Sequence, residues 1–231
     1  MRTLTIMGDS WGTLLLDSIK DELAERGLAG RVLVLQTSIP GSTADFWANN
    51  EWGSLDLVKQ IVALDPNPIV YISLGGNDLV GQYATLGDAV FTEIEADLRF
   101  IVDELVTTRP NVVIILAGYD VLNFDKSAFC LLFSDLVFGS TLPEVVNPLF
   151  LEIGDVQATL DADYSQVVYA NAWGALQGTP GLPDTASWSP DRFFPDDDLD
   201  CLHLNDQGYS VYTNAVFDIL LPRQVVRVSD E

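Results

Sequence analysis

Five short apolar runs punctuate this chain: Leu4-Thr5-Ile6-Met7, Val32-Leu33-Val34-Leu35, Ile69-Val70-Tyr71-Ile72, Val112-Val113-Ile114-Ile115-Leu116 and Val167-Val168-Tyr169-Ala170. Runs of this length that are apolar on both alternating faces read as strands covered on both sides, the signature of a parallel sheet. Between them the apolar period changes. Leu15, Ile19 and Leu23 recur at helical spacing, as do Leu55, Val58, Ile61 and Val62, then Val90, Ile94, Leu98, Ile101 and Leu105, and a last helix follows from about Asp206 to Leu220. Gly27 to Gly30, Asp65-Pro66 and Arg109-Pro110 supply the stops. Strands alternating with helices predict a three-layer α/β/α sandwich around a five-stranded parallel sheet. At 231 residues, with no Pro/Gly/Ser linker and no internal repeat, residues 1–231 are expected to form one domain.

Two stretches stand outside that alternation. Residues 120 to about 154 carry Phe124, Phe129, Phe133, Phe138 and Phe150, and are too long for a plain strand-to-helix link. This Phe-rich insertion follows the fourth strand, so Phe129, Leu132 and Phe133 are expected to wall or partly cover a pocket; the alternative is a helix packed on the sheet or a dimer contact. Residues 174–199 hold Trp188, Phe193 and Phe194 among prolines and end in Asp196-Asp197-Asp198.

The runs deliver distinctive residues. The first leads to Gly8-Asp9-Ser10, the second to Ser38-Ile39-Pro40-Gly41 and the third to Gly75-Gly76-Asn77-Asp78. Loops that follow parallel strands gather at one edge of the sheet, where open α/β folds place their sites. The only histidine, His203, lies three residues after Asp200. A serine needs a base to become nucleophilic, and an imidazole, titrating near neutrality, works best as that base when a carboxylate orients it. Asp196, Asp197 and Asp198 are the rival acids, read here as a solvated charge run; Asp9 and Asp78 are read as loop-shaping carboxylates. Gly8 to Gly12 also fits the Gly-x-Ser-x-Gly nucleophile elbow. That fold needs several strands before its serine and an acid well upstream of its histidine, and neither is present here.

These four blocks, in this order, resemble the SGNH (GDSL) hydrolase family, with Ser10, Gly41, Asn77 and His203 at the four signature positions and Asp200 at the family's Asp-x-x-His position. The resemblance implies an α/β/α fold and ester hydrolysis through an acyl-serine intermediate without a cofactor. It implies Ser10 as nucleophile, His203 as base and Asp200 as its acid. The oxyanion hole would comprise the backbone N–H groups of Ser10 and Gly41 and the Asn77 amide. Trp11 and Gly12 depart from the residues many members carry after the serine, which makes Trp11 a candidate pocket residue. Short-chain acyl esters are the expected substrates, with lysophospholipid or thioester cleavage and carbohydrate deacetylation as alternatives. Trp47, Trp52, Trp173 and Trp188 could stack on a sugar, although core packing is the commoner fate of tryptophan. A binding protein that keeps the scaffold without turnover is the reading from a different class.

Charge narrows the partners. A formal net charge of -23, with lysine only at positions 20, 59 and 126, repels phosphate backbones and anionic headgroups, so a small-molecule ester is expected and nucleic acid is not. Such a surface suits high salt or an extracellular life. No apolar stretch approaches the ~20 residues that span a bilayer, and the first strand begins almost at Met1, leaving no room for a signal peptide. A single His and two distant Cys do not make a typical zinc shell, so no metal is expected. Cys130 and Cys201 form either a bridge tying the Phe-rich segment to the catalytic loop or two buried thiols. A bridge would mark a secreted or periplasmic mature domain, while free thiols leave the cytoplasm open.

Overall fold

All five apolar runs pair side by side in the computed structural model, which describes residues 2–223. The strands are β1 (Arg2–Gly8), β2 (Val32–Gln36), β3 (Ile69–Ser73), β4 (Val113–Leu116) and β5 (Val167–Tyr169). They form one parallel sheet in the order β2-β1-β3-β4-β5. The chain steps outward from β1 to β2 and then returns to the other side of β1, which makes β1/β3 the switch point where a crevice opens beyond the strand ends. Register places Gly8 opposite Ser73, so the loops leaving β1 and β3 start level with one another.

Nine helices surround the sheet among the described residues: α1 (Ser10–Leu14), α2 (Leu16–Glu25), α3 (Ala44–Ala48), α4 (Ser54–Leu64), α5 (Gly76–Leu86), α6 (Ala89–Thr108), α7 (Ala128–Phe138), α8 (Pro143–Asp163) and α9 (Asp206–Leu220). Right-handed crossovers of opposite direction send α2 to one face, where it meets α9, and α4, α6 and α8 to the other. The apolar positions that predicted these helices are the ones that face the sheet: Leu15, Ile19 and Leu23, Val58 and Val62, and Ile94, Leu98, Ile101 and Leu105 are all buried. The first helix is in fact two pieces, since α1 stops before Leu15 and α2 resumes after it.

The Phe-rich stretch is the main departure from expectation. It does not end near residue 154, because α8 runs unbroken from Pro143 to Asp163 and is the crossover helix between β4 and β5. Proline at its first turn suits the missing N–H, but Pro148 and Gly154 inside it obscure its period in the sequence. What remains outside the α/β repeat is residues 120–142, containing α7. Phe124 lies fully buried at the centre of a ring cluster with Phe133, Phe138, Phe150 and Trp188, at centroid distances of 5.5–6.3 Å. Most of the phenylalanines are therefore core rather than lid.

Candidate active site

Asp9 ends β1's loop and caps α1, its Oδ1 accepting the Trp11 N–H at 2.9 Å, which puts Ser10 at the first helical position. On the far side of the sheet edge, Asn205 caps α9 by accepting the Gly208 N–H and donates to the carbonyls of Arg192 and Phe194, fixing the turn that carries His203. The two segments meet. His203 Nε2 lies 2.7 Å from Ser10 Oγ, and His203 Nδ1 lies 3.0 and 3.1 Å from the two Asp200 oxygens. Burial raises the Asp200 carboxyl, but the His203 imidazole beside it and the N–H groups of Leu202 and His203 outweigh that effect and hold it below the ordinary carboxylate value. A charged Asp200 favours the Nδ1–H tautomer, leaving Nε2 free to accept the serine proton. Of the rival acids, Asp197 is occupied otherwise: its Oδ1 accepts the Leu199 N–H, in a surface turn.

Facing this pair, the loops after β2 and β3 lock to each other. Asn77 Nδ2 donates to the Ser42 carbonyl at 2.9 Å, and both Asp78 oxygens accept the Ala44 N–H at 3.1 and 2.9 Å. Ser42 Oγ in turn donates to the Gly8 carbonyl. Gly41 adopts φ +79°, a conformation few other residues tolerate, in the tight turn after Pro40. Asp78, read from the sequence as bonding its local backbone, instead holds the neighbouring loop that bears Gly41, through an N–H 34 residues away.

A residue that no motif marked joins the Ser10 loop to the Asn77 loop. Tyr119, just beyond β4, donates its hydroxyl to Asp9 Oδ2 at 2.5 Å and accepts the Gly76 N–H at 2.8 Å. A Cβ on Gly76 would sit 2.5 Å from the Tyr119 ring, so the close approach requires glycine there. Burial pushes the Asp9 carboxyl up to about 7, against the opposing pull of the Tyr119 hydroxyl and the Trp11 N–H.

Ser10, Gly41, Asn77 and His203 border a cavity of about 260 Å³. Its apolar wall comes from Val80, Leu122, Phe150 and Leu202, with Trp11 and Tyr119 beside them. Two residues of the Phe-rich stretch, Leu122 and Phe150, therefore line it, but Phe129 and Phe133 do not. They lie past His203, in a separate open groove. The reason is the orientation of α7: Cys130 points inward, which turns Phe129 toward solvent, while Phe133 stacks on Phe124. Trp11 is buried, and its Nε1 donates to the Leu202 carbonyl at 2.8 Å, bracing the His203 loop from the helix that begins at Ser10. Of the tryptophans considered for sugar stacking, Trp47 and Trp173 are core residues and Trp188 packs on Phe124; Trp52 is 84% exposed.

A model of the GDSL-like lipase/acylhydrolase family matches residues 6–211, spanning every element just described from β1 into α9. The chain belongs to the GDSL-like lipase/acylhydrolase family. Solved structures repeat the fold of this GDSL hydrolase over nearly its whole length. A Parabacteroides merdae protein provisionally named a GDSL-like lipase superposes with a TM-score of 0.64 at 14% identity, covering 94% of each chain. One from Slackia heliotrinireducens, provisionally named an SGNH hydrolase, gives 0.61 at 15% identity, covering 95% of this chain and 98% of its own. A lipase/acylhydrolase from Enterococcus faecalis gives 0.57 at 16% identity, covering 96% of each. No curated protein sequence matches the chain.

In this GDSL hydrolase the loop carrying Asp200 is fastened from outside the α/β repeat. Cys130 of α7 is bridged to Cys201. Lys126 Nζ donates to the carbonyls of Pro195, Asp197 and Asp200 at 2.8–2.9 Å, and Ser127 Oγ donates to that of Asp198. Sequence reading raised the bridge as one of two options. It missed Lys126, whose sole signal was being one of three lysines in so acidic a chain.

Proposed function

We propose that this GDSL-family chain, acting as one domain, hydrolyses small-molecule carboxylic esters of short acyl chains through an acyl-Ser10 intermediate. The observation that carries this reading is the continuous Ser10–His203–Asp200 hydrogen-bond line at the rim of an apolar cavity. Ser10 Oγ attacks the ester carbonyl carbon as His203 Nε2 takes its proton, and Asp200 stabilises the imidazolium. The carbonyl oxygen, now an anion, is met by the N–H groups of Ser10 and Gly41 and by Asn77 Nδ2, donors held before the reaction begins. His203 then protonates the departing alcohol, and the same base draws a proton from water to release the acid. A cavity of about 260 Å³ falls just below the ~300–1,000 Å³ usual for drug-sized ligands, which supports a short acyl group. The buried fates of Trp47 and Trp173 remove most of the support for a sugar-binding face. The Cys130–Cys201 bridge supports an oxidising, secreted or periplasmic setting.

Ser10→Ala tests the reading. Hydrolysis of p-nitrophenyl butyrate should fall by at least ~10³-fold, the scale on which triad members act, with the melting temperature preserved, and a fluorophosphonate should label the wild type at Ser10 alone. Unchanged turnover in the variant, or a wild-type protein that binds esters without cleaving them, would replace the enzyme by a binding protein on the same scaffold.

A further inference from the structure

Beside the Ser10 cavity, and sharing Leu202 and His203 with it as a common wall, runs an open groove of about 400 Å³. Phe129, Phe133, Leu199 and Cys201 also line it, together with Asp197 and Asp200. Phe129 is 46% exposed and Leu199 65% exposed, and they stand together with Leu202 as a contiguous apolar surface beside His203.

Resting on the ester-hydrolase reading above, we infer that this groove is the leaving-group subsite and that it takes an uncharged, apolar alcohol. Bond bookkeeping at the reacting centre places it there. Attack forms the bond from Ser10 Oγ to the carbonyl carbon and moves the serine proton to His203 Nε2; collapse breaks the bond from that carbon to the alcohol oxygen, which leaves with its electron pair and takes the proton back from Nε2. The alcohol oxygen must therefore lie within hydrogen-bond reach of Nε2. With the carbonyl oxygen directed at Gly41 and Asn77, and the acyl chain running toward Leu122 and Phe150, the substituent on the alcohol oxygen is carried past the imidazole. The surface it meets on that side is Leu202, then Phe129, Phe133 and Leu199. Those are apolar and aromatic, whereas the lining carboxylates Asp197 and Asp200 and the chain's net charge of -23 oppose an anionic alcohol. The groove is open, so a bound alkyl chain loses only part of its water contact on docking.

The test separates the two ends of the ester. With the acyl group fixed as acetyl, kcat/KM is measured by pH-stat for methyl, butyl and hexyl acetates, primary alcohols of matched basicity; with the alcohol fixed as methyl, it is measured for acetate, butyrate and hexanoate. Partial burial of each added methylene should raise wild-type kcat/KM about twofold along the alcohol series, so that hexyl acetate exceeds methyl acetate by more than tenfold. In Phe129→Ala and in Leu199→Ser, both surface substitutions, that hexyl-to-methyl ratio should fall at least threefold, while the hexanoate-to-acetate ratio along the acyl series keeps its wild-type value. An acetate whose butyl chain ends in a sulfonate should be cleaved at least tenfold less efficiently than butyl acetate. A flat alcohol series, or one unchanged in both variants, overturns the subsite even as Ser10-dependent hydrolysis upholds the esterase reading. So does an unchanged series with an altered sedimentation coefficient, which would assign this face to self-association. Loss of Ser10-dependent hydrolysis for every ester would strike the esterase reading itself.

Discussion

At Tyr119 a single phenolic oxygen serves two loops, donating to the Asp9 carboxylate and accepting from the Gly76 amide. Neither partner belongs to the proposed reacting set, yet one precedes Ser10 and the other precedes Asn77, so the hydroxyl sets the distance between Ser10 and the proposed oxyanion donor. Tyr119→Phe keeps the ring that packs on Trp11 and removes only that oxygen. A buried donor left without a partner costs about 1–3 kcal/mol, and a displaced oxyanion donor acts chiefly in the transition state. The expected result is a kcat lowered by about tenfold, equivalent to ~1.4 kcal/mol of barrier, with KM within about twofold and a reduced melting temperature. A variant that loses stability but keeps wild-type kcat would reduce Tyr119 to a packing residue. No sequence pattern marked Tyr119, because its role depends on β4 ending beside β3. Ser10, Asp200 and His203 were legible because each lies within a recognisable block, and Asp200 and His203 are three residues apart.

Among the elements, α7 is the one added to the α/β alternation, and its work is done at its start. Lys126, Ser127 and Cys130 all fasten the loop of residues 195–201, which carries Asp200. The bridge closes a sequence separation of 71 residues; chain-entropy arguments assign a loop of that size about 4 kcal/mol. Reduction by a phosphine should therefore lower the melting temperature substantially, as read by calorimetry with and without reductant. Activity well below that temperature should persist, since Lys126 and Ser127 still hold the same carbonyls. Coincident loss of activity and of the bridge at temperatures where the protein stays folded would show that the disulfide alone positions Asp200. The Phe-rich segment was visible in the sequence, but the direction of its side chains was not. Helical spacing groups Phe129, Leu132, Phe133 and Leu136 on one stripe; only the anchoring of Cys130 decides that the stripe faces outward beside His203 rather than into the Ser10 cavity.

For the molecule as a whole, pH and salt act through buried carboxyls and a surplus of negative charge. Burial pushes Asp9 and Asp120 up to about 7, although backbone N–H groups, those of Leu176 and Gly174 for Asp120, pull the other way. An aspartate in the unfolded chain titrates near 4. Between roughly pH 4 and 7 the folded state thus holds protons the unfolded state has released, so their contribution is complete below pH ~4 and is lost as pH rises through 7. Asp200 has the opposite sign: its lowered carboxyl stabilises the fold above its ordinary value and stops doing so in acid. Thermal stability is expected to peak in mildly acidic buffer and decline toward pH 8, with a slope of at most about 1.4 kcal/mol per unit for each raised group. Asp120→Asn should flatten that decline, and added sodium chloride at pH 7 should raise the melting temperature by screening a net charge of -23. A profile rising from pH 5 to 8 would contradict the assignment.

The sequence by itself determined the strands, the helices α2, α4, α6 and α9, the parallel α/β/α class and the four motif blocks, because each is written in local patterns: apolar runs of strand length, helical spacing, breakers at element ends, and reactive residues just after strands. Two kinds of feature escaped it. Helices α3 and α5 were not foreseen after the second and third strands, and the crossover helix α8 hid behind Pro148 and Gly154, which break the period but not the packing. Contacts between loops distant in sequence, such as Tyr119 to Asp9 and Gly76 or Lys126 to the Asp200 loop, exist only once the sheet order has brought those loops together. Which cavity Phe129 faces was likewise a tertiary decision, since a helix's rotation about its axis is set by what it packs against and not by its own spacing.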